Sequence, residues 1–140
     1  MITLTDTPDP GFEAILDTGL ADYNESKTHR RDWRALAVTL RDPDTGELIG
    51  GLLGRTVLGL FFLDLFYLPD AQRGTGIGST MLRMAEAEAV NRGCRAATLV
   101  TITFHAPGFY ARHGWEEFGR IETAPDVARI FMRKTLSSSA

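Results

Sequence analysis

A glycine-rich stretch is the part of the sequence with the clearest chemical potential. It reads Gln72-Arg73-Gly74-Thr75-Gly76-Ile77-Gly78-Ser79. Glycines let a backbone come close to a ligand, and the amides that begin a helix point outward at the positive end of the helix dipole. Arg73 adds a permanent positive charge. This combination favours the binding of a phosphate or pyrophosphate group.

Two common phosphate-binding loops do not fit this stretch. A P-loop closes its glycine run with Gly-Lys-Ser/Thr, and no lysine is present here. A dinucleotide-binding loop has the spacing Gly-x-Gly-x-x-Gly and an acidic residue at the end of the next strand, and residues 94–103 contain none. The stretch is therefore either a loop for another phosphate ligand or a tight strand-to-helix turn that binds nothing.

A single carboxylate, Asp64, interrupts the apolar run of residues 60–66. With a period of two, Asp64 shares one face of a strand with Phe62 and Phe66. A carboxylate on such a face costs free energy unless it is paired or hydrated. Asp64 is thus either part of an active-site wall, where it binds a cationic amine or relays its proton, or a partner in a structural ion pair with an arginine.

The elements that must position these residues follow from hydrophobic periodicity and turn signals. Strands are predicted at 2–5, 33–40, 48–57, 58–68, 94–103, 115–121 and 129–135. Helices are predicted from residue 11, with a polar loop or short second helix over 24–32, and at 79–92 and 107–113. The unit 58–103 has the form of a parallel crossover flanked by hairpins, which predicts an α/β fold with a mixed sheet.

Length and composition exclude several classes of protein. The 140 residues predict a single domain over 1–136 with a flexible tail at 137–140. The net charge of −3 argues against a general nucleic-acid binder, and no apolar run is long enough for a membrane span. The lone cysteine, Cys94, is a buried small residue or a nucleophile, and the lack of a signal peptide favours the cytoplasm. No metal site is expected.

Taken together, the motifs and the element order resemble the GCN5-related N-acetyltransferase (GNAT) family. The family signature Q/R-x-x-G-x-G/A is matched by Arg73, Gly76 and Gly78. An apolar strand that ends in Leu68-Pro69-Asp70 precedes it, and a helix and the segment Ala106-x-x-x-Tyr110-x-x-x-Gly114-Trp115 follow it. The resemblance covers nearly the whole chain and implies a GNAT-like fold in which two central parallel strands splay apart.

The resemblance also implies a binding mode for acetyl-CoA as cosubstrate. The pantetheine arm would contact the main chain of Phe66, Tyr67 and Leu68. Thr103, which stands where the family often has asparagine, would hydrogen-bond the same arm. The pyrophosphate would be held by Arg73, Gly74, Thr75, Gly76, Ile77, Gly78 and Ser79.

The candidate catalytic residues are Tyr110, which the resemblance implies, and Asp64 and His105, which their positions in the sequence suggest. Tyr110 matches the family tyrosine that donates a proton to the CoA sulfur, and the alternative is a core aromatic residue. His105 precedes Pro107 near the cleft and would take a proton from the amine, directly or through water, as would Asp64; the alternative for His105 is a helix-capping or surface histidine. His113 is interpreted as structural, at the end of a helix where the dipole favours a cation.

The function expected from this resemblance is acetyl-CoA-dependent N-acetylation of a primary amine of a small molecule, by direct attack in a ternary complex. Two alternatives remain, a protein or peptide N-acyltransferase and a catalytically silent acyl-CoA-binding regulatory module. Family habit favours a homodimer. The apolar residues of 129–133 would then pair with a second chain, or they would pack inside the protein.

Overall fold

The computed structural model describes residues 1–136. The chain falls into two units, which are separated in the sequence between Asp32 and Trp33. The tail predicted at 137–140 lies outside the described residues.

The first unit contains one helix, α1 (Phe12–Thr28). The loop or second helix predicted over 24–32 is largely a continuation of α1, because the helix runs without interruption to Thr28. The Thr28 hydroxyl donates to the Asn24 carbonyl at 2.8 Å, and Lys27 in the last turn suits the helix dipole. After the helix, Arg31 returns to pair with Asp22 at 2.8 Å.

The strand predicted at 2–5 is wrong, since residues 1–10 contain no strand in the structure. The alternation of apolar and polar residues is present, but a strand also needs a neighbour for its backbone hydrogen bonds. Residues 5–7 form a local turn instead, in which the Thr7 amide donates to the Thr5 hydroxyl at 2.9 Å. Pro8 and Pro10 then lack the amide hydrogens that a ladder would use.

The second unit is built on a six-stranded sheet. Its strands are β1 (Arg34–Arg41), β2 (Leu48–Val57), β3 (Leu60–Tyr67), β4 (Ala96–Ile102), β5 (Glu116–Ala124) and β6 (Val127–Thr135), in the spatial order β1-β2-β3-β4-β6-β5. β3 and β4 are parallel, and the other neighbouring strands are antiparallel. The predicted mixed α/β sheet is therefore confirmed. Among the described helices, none has the length and apolar character needed to cross a lipid bilayer.

Two helices connect the central strands. α2 (Ile77–Asn91) is the crossover from β3 to β4, and α3 (Pro107–Arg112) leads from β4 towards β5. The hydrophobic core includes Leu82 and Ala85 of α2 with Phe61 of β3, none of which exposes any surface to solvent. Burying a side chain such as Phe61 or Leu82 contributes about 1.5–3 kcal/mol. The strand predicted at 129–135 packs inside, because β6 lies between β4 and β5 with Ile130 buried.

A β-bulge in β3 changes which side chains share a face. Leu53 of β2 pairs with Leu65 and the next residue, Gly54, pairs with Leu63, so Asp64 is the extra residue. Because of this insertion, Phe66 packs against the core on the same side as Leu63. The prediction that Asp64 and Phe66 share a face is therefore wrong, since it assumed an unbroken period of two.

Gly54 is required by this bulge. A Cβ atom at Gly54 would lie 2.7 Å from Cε1 of the buried Phe61 ring and would also collide with the Phe62 carbonyl. A side chain cannot be accommodated there without displacing the backbone of β3. The glycine thus fixes the point at which β3 bends.

Candidate active site

The two central parallel strands separate halfway along their length. The ladder between β3 and β4 runs from the pair Leu60–Ala96 to the pair Leu63–Leu99 and then stops, although both strands continue. The bulge at Asp64 follows the last pair directly and bends β3 at this point. The splayed arrangement implied by the family resemblance is present, and it leaves a cleft beside the main chain of residues 64–68.

The glycine-rich stretch connects the end of β3 to α2. The backbone of Gly74 has φ 74° and that of Gly76 has φ 86°, a left-handed conformation that favours glycine. α2 begins at Ile77, two residues earlier than predicted, so that Gly78 and Ser79 also belong to its first turn. No side chain caps this helix, and its first amides are therefore available to an anion.

Arg73 joins this loop to the end of β3. Its Nε donates to the Leu68 carbonyl at 3.0 Å, and its guanidinium pairs with Asp70 at 3.1 Å. The side chain remains 60% exposed, so the ion pair contributes little to stability. The Thr75 hydroxyl donates to the Gln72 carbonyl at 2.7 Å and closes the loop from within. Internal hydrogen bonds thus set the shape of the loop and leave a positive charge beside it.

Tyr110 lies on α3 with its ring in the core. Its ring centroid is 5.9 Å from that of Trp115, and only 9% of the residue is exposed. Burial raises the pKa of Tyr110 to about 12. Within residues 1–136, no group is hydrogen-bonded to its hydroxyl and no buried side-chain oxygen lacks a partner, so the hydroxyl reaches the surface. The phenol is therefore protonated at neutral pH and able to donate.

Asp64 is held by an arginine on a neighbouring strand. Arg55 donates to both carboxylate oxygens at 3.0 and 3.1 Å, and its guanidinium carbon lies 4.3 Å above the centre of the Phe62 ring. Both charged side chains are about 40% exposed. The structural ion pair is thus present, on the sheet face opposite to the packed side chain of Phe61.

Thr103 and His105 lie at the end of β4. The Thr103 hydroxyl faces the turn between β5 and β6, where it donates to the Asp126 carbonyl at 3.3 Å. The His105 ring makes an edge contact with Phe104, at 5.0 Å between ring centroids. Within residues 1–136, neither side chain forms a hydrogen bond or a ring contact with Tyr110 or with the glycine loop.

The structure brings the end of β3, the glycine loop and α3 together. The ring of Phe109 lies 6.0 Å from that of Phe66, and a Cβ at Gly78 would be 3.5 Å from its tip. Ser79 of α2 shares a hydrogen bond of 2.8 Å with Nε2 of His113. Asp64 lies on the other side of the sheet from these groups.

Sequence reasoning missed two of these contacts. The Ser79–His113 bond joins residues 34 positions apart, and no local pattern signals such a contact. The pairing of Asp64 with Arg55 had a signal in the sequence. A two-residue turn at Leu58 and Gly59 sets the register of the hairpin and places Arg55 opposite Phe62, close to Asp64.

Comparison with known proteins agrees with this geometry. Residues 4–115 match the sequence model of the Acetyltransferase (GNAT) family. The chain is 36% identical to acetyltransferase Atu2258 of Agrobacterium fabrum over 118 residues, which cover 84% of this chain and 85% of that protein. It is 37% identical to the blasticidin-S acetyltransferase of Streptomyces morookaense over 124 residues, with 88% and 85% covered.

Solved structures show the same fold. A crystal structure from Agrobacterium tumefaciens, assigned as that of an acetyltransferase, superposes with a TM-score of 0.87 at 32% identity and covers 96% of this chain and 98% of its own. An aminoglycoside 6'-N-acetyltransferase complexed with coenzyme A has a TM-score of 0.62 at 18% identity, with 100% and 99% covered, a likeness of fold alone. On its sequence and its fold, the chain belongs to the GNAT family of acetyltransferases and is an N-acyltransferase.

Proposed function

We propose that the enzyme transfers the acetyl group of acetyl-CoA to a primary amine of a small molecule, by direct attack within a ternary complex. The observation that carries this proposal is the uncapped start of α2, which follows two left-handed glycines and lies at the same end of β3 as the splayed cleft. The start of α2 suits the anionic pyrophosphate of acetyl-CoA, and the cleft beside β3 suits its extended pantetheine arm.

The residues at this end of β3 fit such a cosubstrate. The amides of Ile77, Gly78 and Ser79 suit the pyrophosphate, with Arg73 beside them. The main chain of residues 66–68, where β3 is no longer paired with β4, suits the amides of the pantetheine arm. When bound, acetyl-CoA supplies an acetyl group activated as a thioester.

Tyr110 would act on the departing sulfur. A phenol with a pKa of about 12 is a weaker acid than a thiol, whose usual pKa is about 8.5. Complete transfer of the Tyr110 proton would be uphill by roughly 5 kcal/mol. We therefore assign to Tyr110 a hydrogen bond to the developing negative charge, while the proton that finally neutralises the sulfur comes from the attacking amine.

The amine substrate is an ammonium ion in solution and loses two protons during the transfer, one before the attack and one after it. The second neutralises the sulfur, and two residues are candidates for accepting the first. His105 follows β4 at the open end of the cleft, and an imidazole is a side chain that can take up a proton near neutral pH. Asp64 is paired with Arg55 on the opposite side of the sheet, so His105 is the better-placed of the two candidates. Comparing the pH dependence of kcat/KM in His105→Gln and Asp64→Asn identifies the base, because only loss of the base removes the limb on the acidic side.

The relatedness to an enzyme that acetylates blasticidin S supports a small-molecule acceptor. The test is release of free thiol from acetyl-CoA in the presence of blasticidin S, an aminoglycoside, a polyamine or a short peptide. Turnover with one or more of the small amines is expected. Turnover with the peptide alone would favour a protein acyltransferase, and binding of acetyl-CoA without any turnover would favour a regulatory module.

A further inference from the structure

α3 is too short to be stable without contacts to the rest of the protein. It has six residues, and no side chain caps its start. A helix of this length is unstable in isolation, so its orientation depends on the groups that pack against it. The orientation of Tyr110, which lies on α3, therefore depends on the same groups.

The apolar contacts of α3 do not by themselves fix its rotation about the helix axis. Phe109 packs near Gly78 of α2 and Phe66 of β3. The burial of apolar surface is non-directional, so these contacts fix how near α3 lies to its neighbours more closely than they fix its rotation about its own axis. A directional bond at one end of α3 would remove that freedom.

His113, the residue that ends α3, supplies such bonds from both its side chain and its main chain. Its Nε2 is 2.8 Å from the Ser79 hydroxyl in the first turn of α2, and its ring is 5.0 Å from that of Phe109. Its carbonyl accepts from the Lys134 ammonium at 2.7 Å. Lys134 also pairs with Glu86 of α2.

The same carboxylate holds the residue that packs on Tyr110. Glu86 accepts from the Trp115 indole at 3.1 Å, and the Trp115 ring contacts that of Tyr110. Two residues on one face of α2 therefore hold the C-terminal end of α3. Ser79, beside the glycine loop, bonds to His113, and Glu86, two turns later, bonds to Trp115 and Lys134. The three side chains at Glu86, Lys134 and Ser79 are part-buried, which strengthens their hydrogen bonds.

We infer that His113 is a positioning residue for the acetyl transfer, which uses its hydrogen bond to Ser79 to hold Tyr110 in register with the glycine loop. The Ser79 hydroxyl is occupied by this bond, so Ser79 serves a bound pyrophosphate through its backbone amide. This inference rests on the proposed role of Tyr110. It predicts that loss of the bond lowers kcat and leaves the KM for acetyl-CoA nearly unchanged.

The test is a double-mutant cycle with Ser79→Ala and His113→Phe. The phenylalanine keeps a ring beside Phe109 and removes the nitrogen. Each single variant should lower kcat about three- to tenfold, the usual worth of one hydrogen bond, and the double variant should be no worse than either. His113→Gln, which restores a polar nitrogen at a similar reach, should recover most of the activity.

Repeating His113→Phe in the Tyr110→Phe background separates positioning from general stability. If His113 acts through Tyr110, it has no further effect on kcat once the hydroxyl is gone. An equal loss in both backgrounds, an additive cycle, or a loss that appears as a higher KM for acetyl-CoA would overturn the inference. Arg112→Ala, an exposed neighbour at the end of α3, is the matched control and should behave as the parent enzyme.

The same set of variants distinguishes a failure of the proposed role of Tyr110 from a failure of the inference about His113. If Tyr110→Phe alone has the full kcat, the proposed role of Tyr110 is wrong and the inference fails with it. If Tyr110→Phe is impaired while Ser79→Ala and His113→Phe are not, only the inference about His113 is wrong. Melting temperatures of all variants, measured in parallel, show whether each is folded.

Discussion

Tyr110 combines a buried ring with a hydroxyl that reaches the surface, and this combination determines its chemistry. Desolvation penalises the charged phenolate, so burial raises the pKa of Tyr110 to about 12 and keeps the proton in place over the whole physiological range. Replacing Tyr110 with Phe should lower kcat about 10- to 100-fold, the worth of a hydrogen bond to a developing charge, and change the KM for acetyl-CoA little. Steady-state kinetics at several pH values measure both. Full activity across that range would contradict the assignment.

The same pKa makes a prediction about stability. Between pH 10 and pH 12 the unfolded chain has lost the Tyr110 proton and the folded chain still binds it, so the free energy of unfolding falls as the pH rises. Below pH 10 both states are protonated and the contribution is constant. By pH 11 the parent enzyme should lose roughly 1 kcal/mol more than Tyr110→Phe does. Urea unfolding of both proteins at pH 8 and pH 11 measures the difference, and equal losses would show that the phenol is not desolvated.

At the scale of elements, the glycine loop acts through its main chain, and Arg73 keeps that main chain attached to β3. Arg73→Ala removes both the bond to the Leu68 carbonyl and a positive charge. The KM for acetyl-CoA should therefore rise, by about tenfold for a charged hydrogen bond, with a smaller change in kcat. Arg41→Ala is the matched control, because Arg41 also donates to a carbonyl, that of Gly46 at 2.9 Å, but lies on β1. An unchanged KM in Arg73→Ala would contradict the proposed role of the loop.

The bulge in β3 is the second element on which the cleft depends. In Gly54→Ala the new Cβ would meet the Phe61 ring and the Phe62 carbonyl, so β3 must shift and the free energy of unfolding should fall by about 1–3 kcal/mol. Gly19→Ala, in α1 with no atom within 4 Å of the added Cβ, should be neutral or stabilising. Denaturant unfolding of both variants gives the comparison. A Gly54 variant as stable as the parent would mean that the bulge tolerates a side chain.

Sequence patterns predicted the elements better than their junctions. The strand predicted at 48–57, after the turn signal of residues 42–46, has the same bounds as β2. The crossover from β3 through α2 to β4 was predicted from apolar strands on either side of an amphipathic helix. The bulge at Asp64 was not predicted, because no pattern in residues 60–67 marks one residue as inserted. The insertion changes the sheet face of every side chain after it. The strand at 2–5 was wrongly predicted, because alternation alone does not reveal whether a partner strand exists.

At the scale of the whole molecule, binding of acetyl-CoA has to rely on local features. The chain has a net charge of −3, so its overall field does not attract an anion. The uncapped helix start and Arg73 provide positive potential at the loop. The contacts that join the loop to α3 connect residues far apart in the sequence, and no short motif could have revealed them.

The measurement that tests the central claim most directly is thermal unfolding in the presence of acetyl-CoA, CoA, ATP or NAD, compared side by side. A ligand at ~100 times its Kd stabilises the folded state by about 2.7 kcal/mol, which raises the Tm of a chain of this size by several degrees. A shift with acetyl-CoA, shared by CoA and absent with NAD, is the predicted result. A shift with ATP or NAD and none with acetyl-CoA would contradict the account, because the glycine loop would then serve a different ligand.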